Sequence, residues 1–87
     1  MDVYEEGQVI LREGEMGDTF YIVKSGRVER YRNDKNGDDK SDGVVDVKKS
    51  FGTTSLLKGA PSPLTYRATS TVQLYYLTRK DFEEIMG

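Results

Sequence analysis

Nowhere in this chain of 87 residues do apolar side chains run on for the length of a helix; they come in short clusters with glycines between them. That punctuation predicts many short strands rather than helices of about ten residues or more. Val9-Ile10-Leu11, Phe20-Tyr21-Ile22-Val23 and Val44-Val45-Asp46-Val47 are β-branched or aromatic runs, the composition that suits a pleated, half-buried surface. Val72, Leu74 and Tyr76 alternate with Gln73, Tyr75 and Leu77, which places two sets of side chains on opposite faces of one strand. Turns are expected at Glu6-Gly7, Glu13-Gly14, Met16-Gly17-Asp18, Ser25-Gly26 and Asp42-Gly43. Ser25-Gly26 is read as a tight hairpin joining strand 19–24 to strand 27–32. The class is mostly β with antiparallel pairing, a sandwich or barrel, in one domain over residues 1–87.

Residues 33–43 contain no hydrophobic side chain and predict an exposed, mobile loop, since nothing in them offsets the entropy of ordering. Their carboxylates invite a calcium reading. Placing Asp34, Asn36 and Asp38 at the first ligand positions of a calcium loop leaves Asp39 where Gly makes the sharp turn and Val45 where a bidentate Glu belongs. A β-roll module that binds calcium through this loop is therefore kept as an alternative. At the other end, Thr78-Arg79-Lys80-Asp81 has the form of a capping box, and Phe82, Ile85 and Met86 recur at helical spacing. A helix starts there and stops at Gly87, which reads as a piece of a longer chain.

Most enzyme chemistry is excluded by what is missing. The chain has no Cys and no His, so thiol nucleophiles, imidazole triads and the usual zinc sets are absent, and neither a catalytic residue nor a metal ligand is assigned. Glu15 and Asp18 sit in a Gly-flanked turn with nothing nearby in sequence to shift a pKa, and are read as surface charges. Thirteen Lys plus Arg against fifteen Asp plus Glu give a net charge of −2, not the basic surface on which nucleic-acid binding depends. No apolar run approaches the roughly 20 residues of a membrane helix. A cytoplasmic location is expected.

The segment from Glu13-Gly14-Glu15-Met16-Gly17-Asp18 through Phe20-Tyr21-Ile22-Val23 to Gly26-Arg27-Val28 resembles the cyclic-nucleotide-binding domain family. Its pattern Glu-Gly-x-x-Gly-Asp-x-Phe-Tyr-Ile-Val-x-x-Gly-x-Val is reproduced in order. The run Phe51-Gly52-Thr53-Thr54-Ser55-Leu56-Leu57-Lys58-Gly59-Ala60-Pro61 is similar to the family's phosphate-binding cassette, and the likeness continues without a gap into the helix start at Asp81-Phe82. The resemblance implies a β-roll of about eight strands with a short cassette helix before the seventh. It also implies a regulatory function: tandem copies sit in regulatory subunits of cAMP-dependent kinase, in cGMP-dependent kinases and at the cytoplasmic ends of channels.

In the family, a Glu after Phe-Gly accepts from the ribose 2′-hydroxyl and an Arg after the cassette Pro pairs with the phosphate. Backbone amides of the short helix and of the residue after that Arg complete the cradle. Here the Glu position is Thr53, the Arg position is Ser62, and the next residue is Pro63, which has no amide hydrogen. Leu64 follows where the family is small, leaving the Ser55 amide as the donor this alignment keeps. The family's Gly-rich lead into the cassette is replaced by Asp46-Val47-Lys48-Lys49-Ser50. Losing one partner of a buried charge-assisted contact costs about 2–5 kcal/mol, so two such losses weaken binding by at least about three powers of ten.

The vestigial pocket is thus Gly52, Thr53, Ser55, Ser62, Pro63, Leu64, Thr65 and Arg67, and Gly52 and Gly59 serve as turns. The reading is a degenerate, non-enzymatic regulatory domain that binds cGMP or cAMP weakly or not at all. It resembles the non-binding members of protist cGMP-dependent protein kinases, and its partners would be neighbouring nucleotide-binding domains and a kinase catalytic domain. The alternative is a functional cAMP or cGMP sensor in which Thr53 and Thr65 hydrogen-bond the nucleotide. Arg67, which shares a strand face with Thr65, would answer the phosphate.

Overall fold

A computed structural model describes residues 2–33 and 37–86, with side chains for all of these but Asp39, Thr53, Thr54, Ser55 and Met86. Eight short strands and two helices follow in order: β1 (Asp2–Tyr4), β2 (Val9–Leu11), β3 (Thr19–Ser25), β4 (Val28–Asn33), β5 (Asp39–Val45), β6 (Ser50–Phe51), α1 (Thr53–Lys58), β7 (Thr65–Ala68), β8 (Val72–Thr78) and α2 (Arg79–Met86). They form two antiparallel sheets, β1-β8-β3-β6 and β2-β7-β4-β5. The core lies between them, where period-two alternation turns Leu11, Val28, Val45, Tyr66 and Ala68 of one sheet toward Val23, Phe51, Val72 and Leu74 of the other.

Three local expectations are corrected. Ser25-Gly26 does not close a hairpin: β3 pairs with β8 and β6, whereas β4 pairs with β5 and β7, so the chain crosses from one sheet to the other at Gly26. The reason is tertiary. Gly26 has φ +88° and lies so close to the β7–β8 connection that an added Cβ would sit 2.2 Å from the Thr71 carbonyl oxygen, while the Arg27 amide donates to Ser70 Oγ at 3.0 Å. Second, the polar stretch 33–43 is only partly loop. Asp39 to Gly43 belong to β5 and pair with β4, with a register shift where Gly43 faces Arg30. Backbone ladder bonds to β4 supply the ordering that hydrophobic burial could not. Third, β5 ends at Val45, and Val47 stands exposed in a turn where the Lys49 amide donates to the Asp46 carbonyl at 3.0 Å. Lys48 adopts φ +72° there, a left-handed conformation that costs a non-glycine residue energy.

The capping box forms as the sequence predicts. The Asp81 amide donates to Thr78 Oγ1 at 3.2 Å and the Thr78 amide to Asp81 Oδ2 at 3.4 Å, which starts α2 at the end of β8. Phe82 then joins Phe20, Leu77, Leu56 and Leu57 around a small apolar hollow of about 100 Å³ between the two helices and the β3/β8 sheet. Among the described residues no helix is long and apolar enough to cross a membrane.

Candidate functional site

The cassette begins where β6 ends. Gly52 has φ +88°, and a Cβ there would meet the Thr19 carbonyl oxygen at 2.7 Å, so glycine at this position is needed for the backbone path itself. Helix α1 follows at once, its first turn marked by the Leu56 amide donating to the Gly52 carbonyl at 3.3 Å. The Ser55 amide falls in that turn, where helical geometry leaves N–H groups without an intrahelical acceptor. The side chains of Thr53 and Ser55 lie outside the described residues. Leu56 is buried under the helix, whereas Leu57 is exposed.

The exit of the cassette is fixed by backbone bonds to the β2–β3 turn. The Ser62 amide donates to the Glu15 carbonyl and the Gly14 amide to the Ser62 carbonyl, both at 2.8 Å. Ser62 itself is 4% exposed, and its hydroxyl donates to the Leu64 carbonyl at 2.7 Å. A buried hydroxyl needs such a partner, and this one finds it two residues along its own chain. Pro63 is exposed, whereas Leu64 turns inward, 7% exposed, and belongs to the central cluster with Leu11, Phe51 and Tyr66.

Aromatic rings fill the neighbouring space. Tyr21, Phe51 and Tyr66 stack in sequence, with centroids 5.1 and 4.4 Å apart and planes within 23° and 14° of parallel, so the stack bridges the two sheets. Burial pushes the Tyr66 phenol above its ordinary pKa, against the opposing pull of the Arg30 charge. Burial raises the Tyr21 phenol as well, with help from Tyr4 and Asp2.

Strand alternation divides the remaining expected residues between two faces. Tyr66 and Ala68 of β7 are buried, so Thr65 and Arg67 face the other way. Thr65 Oγ1 accepts the Glu13 amide at 2.9 Å, and the Arg67 guanidinium lies 4.9 Å from the centre of the Tyr31 ring. Arg67 therefore shares a face with Thr65, as the alternation predicts, but that face is opposite to Leu64, Tyr66 and the aromatic stack. Glu15 and Asp18 are both exposed. Among the described residues no group of three or more Asp and Glu gathers to hold a metal; Asp34 and Asn36 of the calcium reading lie outside them.

One half-buried cation on the core-facing side of β4 escaped the sequence reading. Arg30 alternates with buried Val28 on β4 and pairs with Tyr66 across the ladder, which aims it at the core side. Its Nη2 donates to the Asp42 carbonyl at 3.0 Å, it passes over Gly43 where a Cβ would lie 2.6 Å away, and its Nε is buried without a hydrogen-bond partner among the described residues. The signal available in the sequence was its even spacing from Val28, set against glycine at position 43.

Comparison with known proteins identifies similar chains. The family profile described as cyclic nucleotide-binding domain matches residues 1–87. The cAMP-dependent protein kinase regulatory subunit of Blastocladiella emersonii is 31% identical over 97% of this chain and 21% of its own length. The chain thus spans about a fifth of such curated relatives. The Thermus thermophilus catabolite activator protein superposes with a TM-score of 0.92 at 26% identity, over 98% of this chain and 40% of that one. The regulatory subunit of a cAMP-independent protein kinase A from Trypanosoma brucei superposes with a TM-score of 0.86 at 28% identity, over 95% of this chain and 30% of that one. That last structure is of a triple variant, glutamate to alanine, threonine to arginine and valine to alanine, bound to cAMP in the A site.

Proposed function

The chain belongs to the cyclic nucleotide-binding domain family, and on that premise we propose that it is a regulatory module whose nucleotide site has been given over to packing. The observation that carries this is Ser62. At the position where the family alignment puts the phosphate-pairing arginine stands a buried serine whose hydroxyl is engaged by the Leu64 carbonyl. Next to it Pro63 offers no amide, and Leu64 fills core space beside Phe51 and Tyr66. A cyclic phosphate entering there would lose its water without gaining a cation from the cassette, which is unfavourable by several kcal/mol, on the order of the loss for an unpaired buried charge. The Trypanosoma relative supports the same chemistry, since a variant of that cAMP-independent protein with an introduced arginine carries cAMP.

Residues 1–87 then form one domain of a longer cytoplasmic regulatory chain, without catalysis or cofactor of its own. It acts by holding neighbouring nucleotide-binding domains and a kinase catalytic domain in register, so that ligand binding elsewhere is transmitted through it. Relatedness to regulatory subunits of cAMP-dependent kinase supports the kinase half of this reading; assignment to a cGMP-dependent kinase rests on the sequence resemblance.

A second reading, an atypical cAMP or cGMP sensor, is favoured by Arg30. Its buried Nε on the core side of β4, without a hydrogen-bond partner among the described residues, makes it a better candidate than Arg67 to answer a phosphate. One assay separates the two. Thermal denaturation with cAMP and cGMP up to millimolar concentration is expected to leave the melting temperature unchanged, because a ligand stabilises only what it binds. Combining Thr53→Glu, Ser62→Arg, Pro63→Ala and Leu64→Ala should restore a ligand-dependent rise. A rise of several degrees in the natural chain at micromolar nucleotide, abolished by Arg30→Leu, would overturn the degenerate site in favour of the sensor.

A further inference from the structure

Five consecutive exposed residues, Asp46 to Ser50, lead into the cassette, and the last of them is a hydroxyl preceded directly by Lys48 and Lys49. We propose that Ser50 is a phosphorylation site for a serine/threonine kinase that selects basic residues just before its acceptor, and that Lys24 answers the phosphate once it is in place.

The fold presents this segment outward. Strand β6 is two residues long and ends its sheet, so among the described residues no strand lies on its outer side. Phe51 points into the core, and alternation turns Ser50 to the opposite face, where it is exposed. The two lysines are carried in a turn whose backbone is fixed, the Lys48 amide donating to the Val23 carbonyl at 2.8 Å and the Val23 amide to the Lys49 carbonyl at 2.9 Å. Other described serines lack one or other of these features. Ser41 is exposed but stands among Asp38, Asp39 and Asp42, Ser62 is buried, and Ser70 Oγ accepts the Arg27 amide.

A cation is already in reach on the same face. Ile22 of β3 pairs with Ser50 on one side and with Tyr75 of β8 on the other, so the three side chains form a row across the outer surface of the sheet. Lys24 Nζ lies 5.7 Å from the centre of the Tyr75 ring, which puts its ammonium on that face too. Ser50 and Tyr75 are two strand spacings apart, roughly 10 Å, a span that the long side chain of Lys24 can bridge from β3 between them. In the transfer the γ-phosphoryl of ATP moves to Ser50 Oγ: the bond from its phosphorus to the β-phosphate oxygen breaks, the Oγ–P bond forms, ADP leaves, and the hydroxyl proton passes to the carboxylate base of the kinase. The product carries close to two negative charges at neutral pH and outcompetes an exposed ring face for the ammonium. Lys24 then leaves Tyr75 for the phosphate, and the ring is uncovered beside the entry to the cassette.

The test is to incubate the folded chain with magnesium-ATP and either the catalytic subunit of a cAMP-dependent kinase or a protein kinase C, and to locate phosphate by peptide mass spectrometry. One phosphate on Ser50 with at least one of the two kinases is expected, and none there in Ser50→Ala. Changing both Lys48→Met and Lys49→Met, at exposed positions that the core does not use, should lower kcat/KM for the modification by about tenfold or more. In NMR spectra the Tyr75 ring resonances should move on phosphorylation of the parent chain and stay in place on phosphorylation of Lys24→Met. An unmodified Ser50 with both kinases, modification only after unfolding in urea, or a rate indifferent to the two lysines would overturn the site. Ring resonances that do not move in the phosphorylated parent, or that move equally in Lys24→Met, would overturn the role given to Lys24.

Discussion

The crossing at Gly26 and the cassette exit at 61–65 are both irregular connections, but they have been treated differently. At Gly26 the residue that the backbone requires is still present: φ is +88°, and the Thr71 carbonyl occupies the space a side chain would need. At the cassette exit the backbone path is also fixed, stapled by the Ser62 bonds to Gly14 and Glu15, and on the proposed reading the residues facing the nucleotide position are a serine, a proline and a leucine. The turn before β6 lies between these extremes, since Lys48 holds a left-handed conformation at φ +72° without glycine. The difference teaches that the scaffold and the ligand site are separable. On the proposed reading, packing enforces conformation throughout the roll, whereas the ligand-facing side chains can change without disturbing it.

Substitutions at these places can break or sharpen the contrast. Gly26→Ala is expected to be the most damaging, combining positive φ with a clash against backbone that cannot rotate away, at a cost of about 3 kcal/mol or more. Urea denaturation would reveal it, and a variant as stable as the parent would show that the crossing is pliable. Leu64→Ala should cost about 2–4 kcal/mol if the cassette exit is now core, as its burial at 7% and its place in the central cluster imply. A change below about 0.5 kcal/mol, the range of an ordinary surface site, would contradict the view that the old pocket has become packing. Lys48→Gly should act in the opposite direction and stabilise by about 1 kcal/mol, because only the strained left-handed residue is relieved. A loss of stability there would mean that Lys48 contributes contacts that outweigh its backbone strain.

The order of residues alone aligns the cassette segment with the family pattern. The order of motifs around Glu13–Val28 and the cassette placed Thr53, Ser62, Pro63 and Leu64 at their family positions, and the absent amide hydrogen of Pro63 is covalent fact. Arg67 shows where that legibility stopped. Its spacing from Thr65 put the two on one face, but which face of β7 looks into the roll depends on where β2 and β4 lie. Arg30, between Glu29 and Tyr31, carries no local signal of its facing, and only its pairing with Tyr66 and its approach to Gly43 show it turned toward the core side.

By itself the sequence determined the local chemistry: short β-branched strands, the Thr78–Asp81 capping box, and the uncharged side chains of Thr53 and Ser62 in the cassette segment. These follow from side-chain shape and charge within a few residues. The tertiary structure alone decided that β3 and β4 part company at Gly26, that 39–43 join a ladder, and that Leu64 and Arg30 point inward while Arg67 does not. Each of these depends on partners distant along the chain, and a strand's two faces are equivalent until another sheet covers one of them.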